Sequence, residues 1–204
     1  SPAVNKKRKA FWLKQLHQWH WITSALCLIS LLLFSLTGIT LNHASAIHAD
    51  PAVQEQEALL PTPLRQQLAL RQEGALPMPV RVWLEQEMQI RTGDKVAEWS
   101  AGEASLALPR PGGDAWLAID LNDGSVLAEQ TDRGWIAFFN DLHKGRHTGA
   151  AWTWFIDIFA VASLLFALTG LGLMMLHAKR RPATWPVTLA GLALPWLLIV
   201  FFMH

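Results

Sequence analysis

With 204 residues, 51% of them hydrophobic and only 16% charged, this chain is too apolar for an ordinary soluble domain, and its formal charge of +1 hides a segregation of sign. Fifteen of the sixteen acidic residues fall between positions 44 and 150, against nine Lys or Arg, so a nucleic-acid-binding reading has nothing to stand on. The lone cysteine, Cys27, excludes an intramolecular disulfide.

Residues 1–20 carry Lys6, Lys7, Arg8, Lys9 and Lys14 with no acid among them. Residues 21–42 (WITSALCLISLLLFSLTGITLN) carry no charge at all, and at about 1.5 Å per residue they would reach roughly 33 Å, enough to cross a bilayer. This predicts a first transmembrane helix over 21–43. A cleaved signal peptide is the competing reading, with KKRK as its basic region and Ala44-Ser45-Ala46 as the cleavage site. The apolar stretch is long for that purpose, and two more spans follow.

Residues 44–150 read as a small α+β unit. Helical spacing appears over 61–71 (Leu64, Leu68, Leu70) and over 80–89 (Val80, Trp83, Leu84, Met88). Strand-like runs cover 95–100, 105–108, 115–121 and 125–129. Asn122-Asp123-Gly124 signals a hairpin, because glycine readily supplies φ > 0, and Pro109–Gly113 signals a second turn. The stretch GWIAFFNDL at 134–142 suggests a helix lying in the membrane interface, where aromatic rings are favoured.

A second span over 151–177 is interrupted only by Asp157. A basic loop over 178–186 follows, with Lys179, Arg180 and Arg181, and then a third span over 187–204 that contains Pro195. The positive-inside rule puts both basic clusters in the cytoplasm and the net-negative 44–150 segment outside. The expected architecture is a mainly α membrane protein. It has three transmembrane helices, with a small α+β periplasmic domain inserted between the first and second.

Two features inside the spans stand out. Phe34–Leu41 (FSLTGITL) and Phe166–Leu173 (FALTGLGL) agree at F, L, T, G and the final L, each toward the exit end of its helix. Because the helices run in opposite directions, the echo reads as an inverted repeat about an axis in the membrane plane. The histidines also gather at the helix ends: His17 and His20 before the first span, His43 and His48 after it, His143 and His147 before the second, His177 at its end. Two antiparallel helices would thus offer a histidine each at either membrane face. That is what bis-histidine ligation of a b-type haem asks for. No C-x-x-C-H exists for covalent attachment, so any haem must be held by axial ligands alone. Gly38, Gly170 and Gly172 would give a flat ring room to approach the backbone. Histidines also sit at bilayer ends simply as amphipathic residues, and His48 and His204 are read as surface residues.

Asp157 is a functional suspect because intramembrane acids are costly; the bland reading is an acid near a helix N-terminus. Lys144 and Arg146 could pair with haem propionates or anchor the chain at the headgroups. Helix length adds a constraint. His20 to His43 is about 34 Å of helix and His143 to His177 about 51 Å if fully helical, so the second helix has to begin after His143, with His147-Thr148-Gly149 as the interruption.

Three stretches carry a family resemblance: LHQWHWITSALCLISLLLFSLTGITLNH, AWLAIDLNDGSVLAEQ and DLHKGRHTGAAWTWFIDIFAVASLLFALTGLGL. In that order, with an outer domain between, they resemble the PepSY-associated transmembrane helix family of bacterial inner-membrane proteins. That family includes haem-containing ferric reductases and proteins found with flavin-linked periplasmic redox partners. The resemblance implies haem b, two per chain or one, on His20, His43, His143 and His177, with His17 and His147 as alternates. It implies electron transfer from a quinol, a cytoplasmic flavin or a reductase to ferric iron or a ferric complex, with a homodimer as one assembly. No G-x-G-x-x-G is present for a nicotinamide or flavin. A non-catalytic PepSY-like binding module, an electron carrier to periplasmic flavoproteins, and a transporter subunit with Asp157 in a proton path are the alternatives.

Overall fold

The computed structural model describes residues 2–203; His204 lies outside them. In chain order the elements are α1 (Pro2–Asn42), β1 (Ala52–Leu59), α2 (Thr62–Ala69), α3 (Met78–Met88), β2 (Glu98–Ser100), β3 (Glu103–Ala107), β4 (Gly113–Asp120), β5 (Ser125–Asp132), α4 (Gly134–Lys144), α5 (Gly149–His177) and α6 (Thr184–Phe202), with a 3₁₀ turn at Ala178–Arg180. Helices α1, α5 and α6 are long and apolar enough to cross a membrane, and little of their apolar surface is covered by the chain itself. Water cannot be the solvent of such surfaces. The molecule is a membrane protein.

The chain divides into two compact units: one holds residues up to Leu33 and from Trp154 on, the other is Phe34–Thr153. In the first, the basic N-terminal stretch is itself helical, continuous with the apolar part of α1. Glycines on α5 let α1 side chains come close: a Cβ on Gly170 would meet His20 Cε1 at 3.1 Å and one on Gly172 would meet Leu16 at 3.1 Å. Cys27 and Thr23 are buried, and the Thr23 hydroxyl donates to the Trp19 carbonyl at 2.8 Å.

The second unit is built on an antiparallel sheet of five strands in the order β1-β5-β4-β3-β2. One face alternates Val126 and Ala128 (β5), Leu117 and Ile119 (β4), and Ala104 and Leu106 (β3), all buried, in a core shared with Leu68, Val80, Leu84 and Met88 of α2 and α3. Prolines near the first turns of α2 and α3 pre-set the backbone where no N–H is needed. The edge strand β1 pairs with β5 along all eight of its residues. Its sequence, AVQEQEAL, hides it: nearly every side chain is exposed, so no apolar alternation marks it, and backbone pairing supplies what burial does not.

The β4–β5 turn carries its own acceptors. Asp120 Oδ1 takes the Asn122 N–H and Asp123 Oδ1 the Ser125 N–H, both at 2.7 Å, with Gly124 at φ +82°. The Ser125 backbone N–H, then the Ser125 side chain, hold the Asp123 carboxyl below its ordinary value of 3.8. Its support of the turn is therefore complete above that value and lost as pH falls through the lower, folded-state one.

Helix α4 is fastened to the sheet through the Pro109–Gly113 turn. The buried Asp141 carboxylate accepts the Gly112 N–H at 2.8 Å. Gly112 has φ +71°, and a Cβ there would lie 2.7 Å from Phe138 Cα. Gly93, with φ +56°, has open space around it. Both positions strain an alanine, by about 1–2 kcal/mol for the left-handed backbone, but only Gly112→Ala also collides with α4. We predict that Gly112→Ala lowers the thermal unfolding midpoint of the purified protein clearly more than Gly93→Ala. Equal midpoints would show that α4 is not seated on this turn.

Candidate functional site

The histidines at the ends of the long spans fall into two groups, one per unit. In the first unit His20, on α1, lies against α5. Its Nδ1 is 3.2 Å from the Phe166 carbonyl and 3.1 Å from Thr169 Oγ1, its ring stacks on Phe166 at 4.7 Å and 12°, and its Cε1 rests where Gly170 lacks a Cβ. The Thr169 hydroxyl donates to the Leu165 carbonyl at 2.7 Å, so toward His20 it presents an oxygen lone pair. Nδ1 thus faces two acceptors. In the neutral ring it must carry the proton, which leaves a lone pair on Nε2.

His177, at the end of α5, turns Nδ1 onto the Leu173 carbonyl one turn back, at 2.8 Å. A carbonyl only accepts, so this ring too has its lone pair at Nε2. The ring of His177 faces that of His17 with centroids 6.2 Å apart and planes at 71°. Both line an open groove of about 650 Å³ together with Met174, Arg180, Arg181 and Thr184.

In the second unit His143 stands near the end of α4. Its Nδ1 is 2.8 Å from Thr37 Oγ1, its ring tilts at 44° against Phe34 at 5.1 Å, and a Cβ on Gly38 would meet its Cε1 at 3.5 Å. Thr37 in turn donates to the Phe34 carbonyl at 3.3 Å. One turn on, the Thr40 hydroxyl donates to the buried Asn140 side-chain oxygen at 2.8 Å, and Trp152 Nε1–H donates to the Leu142 carbonyl at 2.9 Å. His43 repeats the arrangement of His177, with Nδ1 3.0 Å from the Ile39 carbonyl.

The remaining candidates stand apart. His147 is exposed, with φ +58°, between Gly145 at φ +66° and Gly149 at φ +81°. Three left-handed residues in five break the chain between α4 and α5, so His143 is not on the α5 helix. Lys144, Arg146 and Asp157 are exposed. Because α5 begins at Gly149, Asp157 sits more than two turns in, and the helix dipole, which acts within the first turn, does not account for it. Among the described residues, no three or more His, Cys, Asp or Glu converge to cage a free ion.

Sequence reasoning missed Phe34, Thr37, Phe166 and Thr169 as the groups that receive imidazoles. Their signal was in plain sight: the two F-x-L-T-G echoes are the two histidine receptors. A Cβ on Gly170 would lie 3.1 Å from His20 Cε1, so a larger side chain there displaces that ring, whereas a Cβ on Gly191 of α6 would have nothing within 4 Å. Gly170→Leu is therefore expected to destabilise the detergent-purified protein by about 1–3 kcal/mol, read as earlier aggregation in heated size-exclusion samples. Gly191→Leu should be neutral, and equal behaviour of the two would contradict the packing.

Compared with known proteins, the chain matches the family model described as PepSY_TM-like over residues 11–204. No curated protein and no solved structure matches it.

Proposed function

This chain belongs to the PepSY_TM-like family, and we propose that it is a b-type cytochrome of the bacterial inner membrane that passes electrons to ferric iron or a ferric complex in the periplasm. The observation that carries the reading is the state of four imidazoles. His20, His43, His143 and His177 each place Nδ1 within hydrogen-bond distance of an oxygen, as metal-ligating histidines do when the other nitrogen binds the metal. An axially held haem asks the protein for only two such rings per iron, so the lack of a three-ligand cage among the described residues is no obstacle.

On this reading His20 and His177 would hold one haem and His43 and His143 another. A bound haem supplies a one-electron Fe(III)/Fe(II) couple. The chain's residues hold each ring's proton at Nδ1 and keep Nε2 free. Arg180 and Arg181, in the groove with His177, are the cations for haem carboxylates at that end; Lys144 and Arg146 serve at the other. Basic residues flank the spans on the cytoplasmic side, and the net-negative 44–150 region faces the periplasm, a surface suited to a cationic acceptor. Electrons come from a quinol, a cytoplasmic flavin or a partner reductase, since the chain has no dinucleotide fingerprint.

A second ligand pair is favoured by one separation in the structure. The rings of His17 and His177 face each other with centroids 6.2 Å apart, so these two residues would be the neighbouring imidazoles available to hold a haem at that end. In this variant His17 replaces His20 as the partner of His177.

Haem content by pyridine haemochromogen decides between the two. His177→Ala should lower it from about two per chain to about one, as should His43→Ala and His143→Ala. Whichever of His17→Ala and His20→Ala gives the same loss names the second ligand. Unchanged content in all five variants would overturn the assignment. Reoxidation of the reduced protein by a ferric chelate should be rapid; a reduced protein indifferent to ferric chelates would remove iron as the acceptor.

A further inference from the structure

We infer that Thr37 is a positioning residue that sets the tautomer of His143, and that Thr169 shares the same task at His20 with the Phe166 carbonyl, each fixing the proton at Nδ1 and the lone pair at Nε2. The use of that lone pair for iron rests on the function proposed above; the tautomer itself does not.

Two segments of the same pattern, Phe34-x-x-Thr37-Gly38 and Phe166-x-x-Thr169-Gly170, each meet an imidazole from another part of the chain with the same three groups. The hydroxyl lies on Nδ1, at 2.8 Å for His143 and 3.1 Å for His20. The phenyl ring lies against the imidazole ring. The glycine leaves room at Cε1. Threonine suits the task because its own proton has somewhere to go. In a helix the hydroxyl bonds back to a carbonyl three or four residues earlier, as Thr37 does to Phe34 and Thr169 to Leu165. What it then shows the imidazole is an acceptor, and an acceptor can only be met by Nδ1–H. The phenyl and the glycine set where the ring stands; the hydroxyl sets which nitrogen is protonated.

The two receptors differ in one respect, and this makes the inference sharp. At His20 the Phe166 carbonyl, 3.2 Å away, is a second acceptor for Nδ1. At His143, among the described residues, the Thr37 hydroxyl is the sole hydrogen-bond partner of Nδ1. Replacing threonine by valine keeps the β-branched shape and removes the acceptor. Thr37→Val should therefore release the His143 tautomer, whereas Thr169→Val should leave that of His20 largely in place.

The test uses the full-length chain with ¹⁵N-labelled histidine, purified haem-free in detergent, where nitrogen NMR distinguishes Nδ1–H from Nε2–H imidazole. Expected are Nδ1–H for His143 in the unsubstituted protein, a mixed or Nε2–H state in Thr37→Val, restoration in Thr37→Ser, and a smaller change at His20 in Thr169→Val. A His143 that is Nε2–H from the outset, or that is unmoved by Thr37→Val, overturns the inference. In haem-loaded protein, Thr37→Val should weaken haem retention on the order of 10-fold and raise the reduction potential of one haem, with Thr37→Ser restoring both. A tautomer response in protein that never binds haem keeps this inference and defeats the cytochrome reading. Haem binding with no tautomer response does the reverse.

Discussion

An imidazole placed among apolar helices has two nitrogens to satisfy and little water to satisfy them with, and an unpaired polar group there costs far more than one at a surface. His20 and His143 meet that constraint by turning Nδ1 to a threonine of another segment, and the exposed His43 and His177 turn the same nitrogen to a carbonyl one turn back. Much of the local sequence follows from it. Threonine inside an apolar helix, a phenylalanine three residues before it and a glycine after it have no separate explanation. Together they form a seat for one ring.

The sheet unit answers to a different demand, that of holding α4 and its histidine in place. Asp141 is a carboxylate taken out of water for one backbone N–H, and Gly112 is the residue whose missing Cβ lets the Phe138 backbone through. Two residues after Asp141 comes His143. The turn, the acid and the imidazole are thus consecutive links in one short chain of constraints, within the unit formed by Phe34–Thr153. The exposed aromatic residues of α4, Trp135 above all, suit a helix lying at the headgroup level.

The spans, the helices α2 and α3 and the β4–β5 hairpin were legible in the sequence because each leaves a strong physical mark: uninterrupted apolar length, helical spacing, or an Asn-Asp-Gly turn. Strand β1 was not, since an edge strand of Gln and Glu buries almost nothing and is held by its backbone. The helical state of residues before Trp21 also went unread, although Trp12, Leu16 and Trp19 recur there at helical spacing. The histidines were legible as a set from their positions at the helix ends, but not their partners. The repeat that contains Thr37 and Thr169 was visible as a repeat; that its purpose is to receive a ring from elsewhere depends on long-range contacts that no local pattern encodes. The same is true of the facing of His17 and His177.

The central claim is that free Nε2 atoms await an iron. The visible spectrum of the detergent-purified full-length protein, taken before and after dithionite, tests it most directly. The account predicts a Soret band that shifts on reduction and a sharp α band of a six-coordinate, low-spin b haem. A protein that is folded by circular dichroism, purified from haem-replete cells and flat through the visible region would contradict it.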